Sequence, residues 1–161
     1  LEYAEPVSDI INTTLARTPD LAPAERRALV GFIRDCVCPQ LAESRLWQRV
    51  QRADAVYLEA PADTVTRVDD VAVELQSLAD IVTREGDQWA VTELKIALQD
   101  TPPTDAHRLQ AQVYAWALTQ QPDTGTVASH VQHLGATAAS IPVDWDLQTV
   151  RNRLAETRAL F

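Results

Sequence analysis

The stretch ADIVTREGDQWAVTELK, Ala79 to Lys95, alternates apolar and polar side chains on both sides of Gly86-Asp87. It reads as two antiparallel strands joined by a two-residue turn. Alternation puts Glu93 and Lys95 on one face of the second strand and Leu94 on the other. Across the hairpin, Asp80 brings a second carboxylate beside Glu93. Two carboxylates in one place repel unless a proton or a cation lies between them. With the backbone carbonyl of Leu94 they make an oxygen donor set suited to a hard divalent ion such as Mg²⁺. Lys95 is the single lysine among 14 basic residues. A compact ammonium there suits a phosphate or an attacking water, where negative charge grows during hydrolysis. On spacing alone, the same Asp, Glu and Lys also fit a surface hairpin with an ordinary ion pair.

Upstream of the hairpin, Pro6, Pro23 and Pro39 each stand where a helix can begin. Apolar residues follow at helical spacing: Ile10, Ile11 and Leu15, then Leu29, Val30, Ile33 and Val37, then Leu46, Trp47 and Val50. AVYLEAP and VAVELQS read as strands that form a meander with the hairpin. Downstream, TPPTDAHRLQAQVYAWALTQ predicts a helix capped by Thr104 or Asp105, with Leu109, Val113 and Ala117 facing inward. A strand, TVASHVQHL, and a helix from about Asp144 carrying Leu147, Val150 and Leu154 complete an α/β order. On the helix after the hairpin, Gln110 and Tyr114 share a face, with His107 one turn earlier. That polar edge can meet a phosphate backbone or merely solvate the helix. His130 and His133 fall on opposite faces of their strand and make no joint metal site. Trp89, Trp116 and Trp145 read as core residues.

A length of 161 residues with 46% hydrophobic content predicts one globular domain with a sizeable core. No apolar run approaches the roughly 20 residues a membrane span needs, so no membrane partner is expected and the location expected is cytoplasmic. The chain has no Met, even at position 1, which leads to the expectation of a domain excised from a longer polypeptide. Cys36 and Cys38 sit too close on one helix for an unstrained disulfide and too few for a metal cage, so they read as inert thiols. The net charge of -9 is the wrong sign for a free-standing nucleic-acid binder.

The ordered set Asp80, Glu93-Leu94-Lys95 and HRLQAQVYAWAL with Gln110 and Tyr114 resembles the PD-(D/E)XK nuclease domain of the RecB and AddA type. The lead-in LWQRVQRADAVYLEAP is similar too, so the likeness runs from about Arg45 to Leu134. The resemblance implies a restriction-endonuclease-like α/β core, a central mixed sheet flanked by helices. It makes Asp80 and Glu93 the ligands of Mg²⁺ or Mn²⁺, Lys95 the catalytic lysine, and Gln110 and Tyr114 supports of the site or contacts to DNA. Such domains often follow a UvrD-like helicase, which implies DNA and helicase domains of the same polypeptide as partners, in DNA repair or recombination. The chain departs from the family pattern at Ser77 and Ala79, where Gly and a bulky aliphatic are usual. It also has Ser8 nearest to an upstream metal-binding His. The second reading is therefore a nuclease-like module that no longer cuts and serves as a scaffold or strand guide of a helicase.

Overall fold

The computed structural model describes residues 21–68, 71–97, 99, 101–136 and 138–158. The helix expected after Pro6, and Ser8 with it, lie outside the described residues. Helix α1 (Pro23–Phe32) opens with Pro23 in its first turn, where the missing N–H costs nothing. A π-helical turn, Ile33–Val37, leads into α2 (Cys38–Glu43). Helix α3 (Arg45–Arg52) starts at Ser44, whose Oγ accepts the Trp47 N–H at 3.1 Å.

Strand β1 (Ala55–Pro61) follows, then a small hairpin of β2 (Thr64–Val68) and β3 (Val71–Leu75). The central hairpin is β4 (Leu78–Glu85) and β5 (Gln88–Ala97). Helix α4 (Asp105–Thr119), strands β6 (Thr126–Gly135) and β7 (Ala139–Pro142), and helix α5 (Leu147–Arg158) complete the order. The main sheet runs β1-β4-β5-β6-β7. Only β5 and β6 are parallel, and α4 makes the crossover between them. At the hairpin turn Gly86 takes φ +58, a conformation glycine adopts without steric cost.

The structure corrects two expectations. VAVELQS does not join the main meander: Val71–Leu75 pairs with Thr64–Val68 as a separate two-stranded sheet. Val65 is 67% exposed and Val71 45%, so these two side chains of the ribbon are not drawn into the main core. On α4 Ala117 is buried as expected, but the rest of the buried stripe is Ala111, Tyr114, Ala115 and Leu118, while Leu109 and Val113 are only partly buried. Small alanines at the contact let the helix axis come close to the sheet, which rotates the larger aliphatics toward its flank.

The main core joins Tyr114, Ala115, Ala117 and Leu118 to Ala79, Val82, Val91 and Val127, and a smaller cluster holds Ala111, Val131 and Val143. Trp116 is buried, while Trp89 and Trp145 pack against the core edge. The other face of the sheet is met by the first helices. There Gln40 grips the end of β6: its amide donates to the Gly135 carbonyl and accepts the Gly135 N–H, both at 2.6 Å. Both cysteines are free, and Cys36 Sγ lies 3.3 Å from the same carbonyl.

Candidate active site

The strand pair that carries Asp80 is broken at that residue. β1 and β4 pair Leu58 with Ile81 and Ala60 with Ala79, but skip the position between, where Glu59 takes φ +49. Across the break the buried positions change parity, so Ala79 and Val82 both enter the core. Such irregularities re-aim side chains. Here Asp80 Oδ2 accepts the backbone N–H of Leu94 at 2.7 Å. The pairs of β4 with β5 end at Ile81 and Thr92, so the carboxylate serves an amide beyond that ladder. It is thus the Leu94 amide, not its carbonyl, that this contact ties to Asp80.

Next to that contact Glu93 is buried, with 2% of its surface exposed. Its Oε1 pairs with Lys95 Nζ, whose side chain keeps 29% exposure. Its Oε2 is buried with no hydrogen-bond partner. Burial pushes the Glu93 carboxyl above its ordinary range, Lys95 opposes this by a hydrogen bond and its charge, and Asp80 adds to the rise. Tyr114, nearly buried on α4, has its phenol pushed up by burial and then by the negative charges of Glu93 and Asp80. It therefore keeps its proton at neutral pH. Gln110 is exposed one turn earlier and stays out of this buried cluster.

Two histidines complete the surroundings. His133 stands opposite Lys95 in the β5–β6 register, is 5% exposed and has a buried Nε2 with no partner. His107 lies in the first turn of α4, where Thr104 and His107 cap each other: Thr104 Oγ1 accepts the His107 N–H at 3.3 Å, and His107 Nδ1 accepts the Thr104 N–H at 3.4 Å. The two rings lie 6.1 Å apart. Burial first and the Lys95 charge second hold both imidazoles below their ordinary value, so both are neutral at pH 7. The sequence reading grouped His133 with His130 and so missed its place beside Lys95; the signal lies in the parallel register, which no local pattern states.

The donor set suits a divalent ion. A buried carboxylate oxygen without a donor, beside a second carboxylate, is a cost that a cation removes, as does a proton shared between Glu93 and Asp80. Among the described residues no three His, Cys, Asp or Glu side chains come together. Two carboxylates alone match an ion such as Mg²⁺, which keeps several of its waters.

No family model matches the chain, and no curated protein matches it. The solved structure of SSO0001 is similar, with a TM-score of 0.54 and 14% identity over 99% of this chain and 69% of that one. At that identity the likeness shows the fold alone. The chain is an α/β protein whose mixed five-stranded sheet, flanked by helices, is compatible with a restriction-endonuclease-like core. Among the described residues no helix is long and apolar enough to cross a membrane.

Proposed function

We propose that this chain is a metal-dependent deoxyribonuclease domain that hydrolyses phosphodiester bonds. The observation that carries the reading is the meeting of Asp80, Glu93 and Lys95 at the break in the sheet, with one Glu93 oxygen left without a partner. Asp80 and Glu93 would hold Mg²⁺ or Mn²⁺. When bound, such an ion supplies the Lewis acidity that eases attack on a phosphate and departure of its oxygen.

The chain's own residues prepare the rest. Glu93 fixes the Lys95 ammonium at the partly exposed rim, where it meets a phosphate whose charge grows in the transition state. Asp80, held by the Leu94 amide, cannot swing away from Glu93. The protonated Tyr114 hydroxyl is available as a donor to a bound phosphate, and the neutral imidazoles of His107 and His133 add donors without competing positive charge. Gln110, exposed on the same helix, is available to contact DNA.

An acidic chain gains little attraction for DNA on its own. Helicase domains of the same polypeptide, delivering a strand in DNA repair or recombination, would supply it. Titration calorimetry with Mn²⁺ tests the metal reading: one or two ions bind the wild-type chain, and Asp80→Asn or Glu93→Gln removes that heat. Binding that both substitutions leave intact would place the metal elsewhere and end the proposal. The module that no longer cuts differs in binding the ion without cleaving DNA.

A further inference from the structure

On the sheet face opposite Glu93 and Lys95, a cavity of about 310 Å³ opens between α3 and the strands β4, β5 and β6. Its cationic wall is Arg49 and Arg52, and Thr83, Glu85, Gln88 and His130 also line it. Arg49 lies over the sheet, with Nη2 3.3 Å from Thr92 Oγ1 and a buried Nε that has no hydrogen-bond partner. Among the described residues no carboxylate forms an ion pair with it. The charges that reach it are like charges, Arg52 and Arg45, and burial is the larger cause lowering its pKa. Arg52 pairs with Glu85, 3.8 Å away at the exposed rim.

A half-buried guanidinium facing a cavity, repelled by its neighbours and with an unused donor, is costly unless an anion neutralises it. Among the described residues the one carboxylate in the lining, Glu85, pairs with Arg52 at the exposed rim, so Arg49 within the cavity is left for an external anion. Two guanidiniums present forks of N–H donors, and Thr83 and Gln88 add neutral ones. A phosphate, with one charge as a diester or nearly two as a terminal monoester and several acceptor oxygens, uses these donors better than a carboxylate does. The volume lies at the low end of small-ligand pockets, enough for a phosphate group and part of what it is attached to.

We infer that this cavity binds one phosphate group, held by Arg49 and Arg52 with Thr83 and Gln88 as neutral donors. The site is separate from the candidate active site, on the other face of the sheet. His130 in its wall is neutral at pH 7 and offers a donor without further repulsion. The phosphate belongs either to the end of a nucleic-acid strand or to its backbone.

Both sources can be told apart in metal-free buffer with EDTA, where hydrolysis at Glu93 does not intervene. Thermal unfolding is followed in inorganic phosphate against chloride at equal ionic strength. Anisotropy is then measured with a labelled thymidine oligonucleotide carrying a 5′-phosphate and with its 5′-hydroxyl twin. Phosphate is expected to raise the unfolding temperature of the wild-type chain. Arg49→Gln should remove the effect, and the exposed Arg52→Gln should weaken it roughly tenfold in phosphate concentration. A preference for the 5′-phosphate that both variants lose assigns a strand end; equal binding of the twins that both variants weaken assigns the backbone. No difference between phosphate and chloride overturns the site, as does oligonucleotide binding that the variants leave unchanged. If Arg49→Gln fails to fold, Arg52→Gln decides alone.

Discussion

Glu93 is the residue on which the account turns. A carboxylate buried in a sheet, with one oxygen paired to Lys95 and the other unpartnered, is retained at a cost to the folded chain. Its pKa is raised, so the folded state binds the proton more tightly than the unfolded chain. Stability therefore falls as pH climbs from the ordinary glutamate value through the raised one. Glu93→Gln, which carries no charge, should stabilise the metal-free chain by about 1 kcal/mol at pH 8 and by nothing at low pH, read by urea unfolding at the two values. Equal effects at both would show that ionisation is not what burdens the site. Mg²⁺ should raise the unfolding temperature of the wild-type chain and leave that of Glu93→Gln unchanged.

Elements decide how much of this was legible beforehand. The β4–β5 hairpin was readable because alternation and Gly86-Asp87 are local features, and with it came Asp80, Glu93 and Lys95 on one face. The break at Glu59 was not, since nothing in AVYLEAP marks a residue that takes φ +49. Nor was the partner of Val71–Leu75: alternation gives a strand's faces but not its neighbour. On α4 the inward position of Ala117 is legible, but Leu109 and Val113 are not on the buried stripe, because size does not equal burial where the close approach is made by Ala111 and Ala115. Arg49 and His133 matter through register and through contacts made only on folding.

The end of β6 offers a test of element packing. Gly135 takes φ +115, and a Cβ there would overlap the Ala97 carbonyl oxygen. Gly135→Ala should cost more than about 2 kcal/mol. Gln40→Ala, losing two hydrogen bonds to Gly135, should cost about 1–3 kcal/mol. Denaturant midpoints at constant slope check both. On the same strand, burial and then the charges of Arg49 and Arg45 push His130 down to about 4. The unfolded chain binds that proton first, so stability is lost as pH falls from about 6.5 to about 4, by on the order of 1–2 kcal/mol after screening of a half-buried ring. His130→Gln should flatten that part of the profile.

At the scale of the whole molecule, charge is the constraint. A chain with 14 basic and 23 acidic residues can bring few cations to a DNA backbone. Binding by this chain should therefore be weak, with a logarithmic salt slope of roughly -1 to -3, read by anisotropy between low and moderate salt. A slope of about -6 or steeper would require an extended basic track and contradict this reading.

The most direct measurement is cleavage of end-labelled single-stranded and duplex DNA by the wild-type chain and by Lys95→Ala, with Mg²⁺, with Mn²⁺ and with EDTA. The account predicts cutting that needs the ion and falls by roughly a hundredfold or more when Lys95 is lost. Cutting that survives in EDTA or in Lys95→Ala, or no cutting with either ion, would contradict it.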